Sequence, residues 1–172
     1  MEIYEPIKIY DQHGKYRFVS DRIAYLTKIV KNKTVLHVGC TDYPLTEDRL
    51  AMGSLLHEKI QNSASSIVGI DNSSEGIECL LKNGFKDVVL MDAEMLNFDT
   101  KFDVILAGDV LEHMNNPGKF LLEAKNFLNS SGELIVGLPN AYSFNIIKYL
   151  LCNFEPTHKD GDGPRRLDSL KG

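Results

Sequence analysis

Cysteine is scarce in this chain: Cys40, Cys79 and Cys152 are the only three in 172 residues, far apart and without a C-x-x-C pair. An odd, scattered set excludes a disulfide framework and offers no zinc-ligand spacing, so reduced thiols in a cytoplasmic protein are expected, with no metal. Basic residues are also in the minority, 19 against 24 acidic ones, for a net charge of −5. A surface built to neutralise phosphate backbones needs the opposite balance, so a nucleic-acid partner is not expected. No apolar run approaches the ~20 residues that cross a bilayer. No basic-then-apolar leader opens the chain, and neither an internal repeat nor a low-complexity tract interrupts it. These absences leave one soluble domain over residues 1–172, with 43% apolar content for a single core.

What the chain has is a series of short β-branched runs, each delivered to a small or acidic residue. Residues 33–42 (Lys-Thr-Val-Leu-His-Val-Gly-Cys-Thr-Asp) carry an apolar run straight into Gly39. Further runs at 66–71, 88–91, 102–107 and 133–138 read as strands that stop at Asp71, Asp92, Gly108-Asp109 and Pro139. Apolar residues at three- and four-residue spacing predict helices between them. These span 16–31 (Phe18, Val19, Ile23, Leu26, Ile29, Val30), 47–61 (Leu50, Leu55, Leu56, Ile60), a segment opened by Pro117 (Phe120, Leu121, Leu122, Ala124, Leu128), and 141–152. A further helix over 73–82 has Asn72 and Glu75 in the positions of a cap and its reciprocal partner, and Asn83-Gly84 as its stop. Ser130-Ser131-Gly132 reads as the turn into the fifth strand. Residues 1–15 show no interpretable pattern, and 157–172 read as a polar, flexible tail.

Five apolar strands alternating with helices make a doubly wound, Rossmann-like α/β fold, a mostly parallel sheet with helices on both faces. Ligands of such sheets bind beyond the carboxyl ends of the strands, where the strand order reverses. A carboxylate after the second strand can accept from adjacent ribose hydroxyls, which singles out Asp71, and Asp92 can accept from an exocyclic amine. Each also has a plainer reading, an acid that begins a turn. Gly39 marks a tight turn and points to a ligand only by its place.

In their order and spacing, these stretches resemble the class I S-adenosylmethionine-dependent methyltransferases over residues 17–140. Val35-Leu36-His37-Val38-Gly39-Cys40 is similar to the family's first motif. Val68-Gly69-Ile70-Asp71 is similar to the strand with the ribose-binding acid, and Val89-Leu90-Met91-Asp92-Ala93-Glu94 to the adenine segment. Phe102-Asp103-Val104-Ile105, Asp109-Val110-Leu111-Glu112-His113 and the Pro-Asn ending at 139–140 resemble the fourth strand, its turn and the fifth strand. The resemblance implies S-adenosylmethionine as cofactor, a small-molecule acceptor, and Arg17, Gly39, Cys40, Asp71, Asn72, Asp92, Ala93, Gly108 and Asp109 as cofactor contacts. His113 is the candidate general base, because histidine titrates near neutrality; its plainer reading is a loop hydrogen bond. Asn140 and His158 could line the acceptor pocket. Two positions depart from the motif: His37 stands where the family usually has an acid, and Thr41 where it has glycine.

Residues 157–172 are too polar to supply the family's later strands, so either the sheet is truncated or the ending is incomplete or mobile; a sheet left at five strands exposes an edge that a homo-oligomer could cover. Two other functions fit parts of the pattern. A nicotinamide-dependent oxidoreductase would also use Asp71, but Gly39 to Pro44 lack the G-x-G-x-x-G that brings pyrophosphate close to the backbone. A non-catalytic relative would keep the fold as a binding module, in line with His37 and Thr41.

Overall fold

In the computed structural model, residues 7–10 and 14–139 are described, with the backbone alone for 7–10 and 16–18. One compact unit, Met1–Gly137, holds every strand and helix below, and a second begins at Leu138. The helix expected over 141–152, Asn140, His158 and the tail from 157 lie outside the described residues.

The helix expected over 16–31 is instead a strand followed by a shorter helix. Strand β1 (Ile7–Tyr10) pairs antiparallel with β2 (Tyr16–Val19), which takes up the aromatic and β-branched residues of that stretch. Asp21 then caps helix α1 (Arg22–Val30), its carboxylate accepting the Ala24 N–H at 2.9 Å.

The main sheet is formed by β3 (Thr34–Val38), β4 (Ser66–Asp71), β5 (Val88–Leu90), β6 (Phe102–Gly108) and β7 (Leu128–Gly137). All four pairings are parallel, in the order β5-β4-β3-β6-β7. The chain runs outward from β3 to β5 and then returns to place β6 on the other side of β3. The order therefore reverses between β3 and β6, which opens the crevice a doubly wound sheet offers a ligand. Helices α2 (Thr46–Ala51), α3 (Leu56–Gln61), α4 (Ser74–Lys82) and α5 (Pro117–Asn126), with a single turn at Ala93–Met95, make the connections.

Alternation along the strands supplies both faces of the core. Leu36, Val38, Ile70, Ile105 and Ala107 pack with Phe120 and Ala124 of α5, and Val35, Val104 and Leu106 pack with Leu26, Val30 and Ile60 of α1 and α3. Fully burying each of the larger side chains stabilises the fold by about 1.5–3 kcal/mol. Leu122, expected on the buried side of α5, is 69% exposed, and Leu121 is 41% exposed; the inward stripe is narrower, through Phe120 and Ala124. Leu128 begins β7 rather than closing the helix.

Three further expectations shift for local reasons. The helix over 47–61 breaks into α2 and α3 at Gly53, whose φ of +57° ends the first piece. The cap of α4 is Ser73 rather than Asn72, its hydroxyl accepting the Gly76 N–H at 3.0 Å. Ser130 to Gly132 belong to β7, at an irregularity opposite Phe102 and Val104, where a Cβ on Gly132 would come within 2.9 Å of the Phe102 carbonyl oxygen. No helix among the described residues is long and apolar enough to cross a membrane.

Candidate functional site

Gly39 leaves β3 at φ +73°, and a Cβ there would lie 3.2 Å from Val110 Cγ2, so both conformation and space require glycine. The Gly39 and Cys40 N–H groups donate to the Ile70 carbonyl, at 2.9 and 3.1 Å. Thr41 donates to Asp71 Oδ2 from its N–H at 3.1 Å and from its hydroxyl at 2.7 Å, and the Ser73 N–H donates to Oδ1 at 3.0 Å. Three of the roughly four lone-pair positions of this half-buried carboxylate are thus filled within the protein. Asn72 follows, exposed.

Behind this turn the chain is closed. His37 and His57 are 3% and 2% exposed, their Nδ1 atoms 3.0 Å apart and their rings stacked with centroids 5.3 Å apart. One Nδ1 must donate and the other accept, which two neutral rings in opposite tautomers satisfy. Burial, helped by the charges of His57 and Arg22, holds His37 well below the usual imidazole range. Burial also brings His57 down to about 4 against an opposing pull from Asp87. The Cys40 thiol packs in the core with Leu55 and Ile77, and burial and the Asp71 charge push it far up. Its thiol is closed off in that cluster, and its N–H is bonded to Ile70. Gly69 lets Cys40 and His57 pass, since a Cβ there would stand 2.8 Å from Cys40 Sγ and from His57 Cε1.

Beyond β5 on the same side of the crevice, and beyond β6 across it, Asp92, Asp109 and His113 are exposed. Asp92 beyond β5 uses Oδ1 to accept the Glu94 N–H at 2.8 Å, which caps the turn holding Ala93. Glu94 in turn accepts the Asn116 N–H at 2.9 Å and ties that turn to the start of α5. Beyond β6, Asp109 stands at φ +54° with its N–H on the Gly137 carbonyl at 3.0 Å. Its Oδ2 is 2.6 Å from Arg22 Nη1. His113 ends the short turn Leu111–His113 and is exposed. Gly39, Asp71, Asn72, Asp92, Ala93, Gly108, Asp109 and His113 therefore gather at one edge of the sheet. Arg17 lies in β2, and its side chain is outside the described residues. Arg22 is the residue that sequence reasoning missed: it opens α1, 87 positions from its partner, and no spacing signals that pairing.

Comparison with known proteins follows the same strands. Residues 50–136 match the family model described as a methyltransferase domain. The chain is 31% identical over 160 residues to the ubiquinone biosynthesis O-methyltransferase of Pelagibacter ubique (strain HTCC1062), covering 86% of this chain and 61% of that protein. It is 31% identical over 113 residues to the tRNA U34 carboxymethyltransferase of Campylobacter fetus subsp. fetus (strain 82-40), covering 62% of this chain and 36% of that one. The chain thus spans less than two thirds of the length of both. Among solved structures, the N-methyltransferase NodS from Bradyrhizobium japonicum WM9 in complex with S-adenosyl-L-homocysteine aligns with a TM-score of 0.51 at 14% identity. The alignment covers 80% of this chain and 75% of that one, a likeness of fold.

Proposed function

The chain belongs to the class I S-adenosylmethionine-dependent methyltransferases, and we propose that it transfers a methyl group from S-adenosylmethionine to a small-molecule acceptor, a sugar, lipid precursor or metabolite. The observation that carries this is the state of the turn after β3. The N–H groups of Gly39, Cys40 and Thr41 are all spent on Ile70 and Asp71, so the turn offers no ring of free donors to a pyrophosphate. That argues against a nicotinamide dinucleotide and suits a ligand whose centre is a cation.

The donor set fits an adenosyl group. Asp71 keeps one acceptor position on Oδ1 for a ribose hydroxyl, and accepting a second hydroxyl requires Thr41 to release Oδ2. Asp92 keeps Oδ2 for an exocyclic amine beside Ala93. Gly39 allows close backbone approach. Cys40 contributes its carbonyl, while exposed Asn72 and the Gly108-Asp109 turn complete the rim. Bound there, S-adenosylmethionine supplies a methyl group on a positively charged sulfur. The chain's own task is to orient the acceptor and strip water from it. In this reading His113 takes the proton of an acceptor hydroxyl, a contribution of about 10²–10⁴-fold. The acidic net charge favours a small acceptor over RNA, although one relative is named for tRNA.

Calorimetric titration tests the proposal. The chain should bind S-adenosylhomocysteine saturably and leave NAD unbound. Asp71→Ala should weaken binding by about 1–3 kcal/mol, the scale of lost hydrogen bonds to an ionised group, with folding checked by circular dichroism. Unchanged affinity in that variant removes the ribose role. Binding of neither compound favours the second reading, a non-catalytic relative, for which the withdrawal of His37 into the core speaks.

A further inference from the structure

We infer that Thr41 limits the Asp71 carboxylate to one of the two ribose hydroxyls of the cofactor, so that the ribose is held there at a single point. This rests on the methyltransferase reading above and deepens it at the same site. A carboxylate oxygen offers two acceptor positions. Both positions of Asp71 Oδ2 are filled by one residue, from the Thr41 N–H at 3.1 Å and the Thr41 hydroxyl at 2.7 Å. One position of Oδ1 is filled by the N–H of Ser73, the residue that caps α4, at 3.0 Å. A single acceptor position remains, on Oδ1, whereas bonding both hydroxyls of a ribose takes two. Glycine at position 41, which the family's first motif has, carries no hydroxyl and would leave a second position open on Oδ2.

The packing around Thr41 keeps its hydroxyl on Oδ2. Thr41 is fully buried, and the first turn of α4 lies directly on it: a Cβ on Gly76 would come within 2.6 Å of Thr41 Oγ1, 2.7 Å of its Cβ and 2.9 Å of its Cγ2. Gly76 is fixed in turn, since its N–H donates to the Ser73 hydroxyl at 3.0 Å. A β-branched side chain is stiff at χ1, and this packing holds its methyl and hydroxyl in one arrangement. Asp71 is the one acceptor that the hydroxyl uses among the described residues. A hydroxyl pulled off Asp71 in a buried place is left unpaired, a loss of the same order as the bond that a ribose hydroxyl would gain on Oδ2. Exchanging one donor for the other therefore brings no net affinity. Thr41 stands in for the second ribose hydroxyl, and the site should accept an adenosyl group that lacks it.

The test titrates S-adenosylhomocysteine and its 2′-deoxy and 3′-deoxy analogues calorimetrically into the whole chain and into T41V and T41S. In the unsubstituted chain one deoxygenation should cost roughly tenfold or more in affinity, the scale of a lost bond to a carboxylate, and the other less than about threefold. T41V keeps the branched shape against Gly76 but frees a position on Oδ2, so both deoxygenations should then cost roughly tenfold. T41S keeps the hydroxyl and should behave as the unsubstituted chain does. Circular dichroism and thermal melts check that each variant folds, and the two analogues on the unsubstituted chain decide the matter even where one does not. Comparable losses for both analogues in the unsubstituted chain, or a one-sided pattern that persists in folded T41V, overturn the assignment and leave the methyltransferase reading standing. No loss with either analogue overturns it together with the ribose role of Asp71. Failure of the unsubstituted chain to bind S-adenosylhomocysteine overturns both readings.

Discussion

Gly39 and Gly108 each end a central strand at the same crevice, but what surrounds them differs. Around Gly39 the N–H groups, the Asp71 carboxylate and the side chains behind the turn bond to one another, and the backing layer of His37, Cys40, Gly69 and His57 is closed to water. Around Gly108 the charged groups stand at the surface, and the side chain over the glycine is the mobile end of an arginine. The first turn is therefore a fixed wall. The second leaves charged groups at the surface, and under the proposed function that is the side where selectivity would be adjusted.

Acid should break the first side before the second, and this is the largest expected effect. His57 is held neutral down to about 4 in the fold, whereas an unfolded imidazole takes up a proton near 6.5. Between these values the unfolded state binds more protons, so stability is full above pH 6.5 and declines as the pH falls. The slope is about 1.4 kcal/mol per pH unit and the total about 3 kcal/mol for His57 alone. His37 is shifted in the same direction and steepens the loss. Urea unfolding at pH 7.5, 5.5 and 4.5 measures it, and His57→Phe should flatten the profile between pH 6.5 and 4.5. A profile that is already flat with both histidines in place would contradict the neutral pair.

The two sides should also answer differently to the same kind of enlargement. Gly69→Val drives new atoms into Cys40 and His57, which are buried and cannot yield, and should lower stability by about 2–3 kcal/mol. Gly108→Ala meets only the end of Arg22 and should change stability by less than about 1 kcal/mol while moving the guanidinium. Thermal melts of the two variants side by side give the contrast. Similar losses in both would mean that the second turn is as closed as the first.

How much of this was legible in the sequence follows the range of the interactions. All five strands of the main sheet and the conformation of Gly39 depend on neighbours within a few residues, and the β-branched runs and the glycine announce them. The α2–α3 break was visible in Gly53, but the apolar spacing across it suggested continuity. The cap of α4 was displaced by one residue because Asn72, Ser73 and Ser74 can all fill that role and only the backbone geometry selects Ser73. His37 could be seen to depart from the motif, but its partner His57 sits 20 residues away on a helix whose rotation the sequence does not specify. The Arg22–Asp109 pair depends on α1 lying against the far end of β6, a purely tertiary relation.

The smallest effect is the one that best separates support of the fold from service to a ligand. Arg22 and Asp109 form a 2.6 Å ion pair with both side chains more than a third exposed. Water and salt screen such a pair, and holding two side chains in place uses up part of the attraction, so its contribution to stability is about 0–1 kcal/mol. Arg22→Met should therefore shift the unfolding free energy by less than about 1 kcal/mol, and the shift should shrink further at high salt. A larger loss would mean that the guanidinium holds α1 against the ends of β6 and β7, making the two glycine floors part of the fold. A small loss leaves Gly108, over which only the guanidinium lies, and the left-handed backbone of Asp109 without an equal folding purpose, whereas Gly137 is required in any case by the backbone of Gly108 3.2 Å from where its Cβ would stand. The geometry of the second turn is then explained by what binds to it.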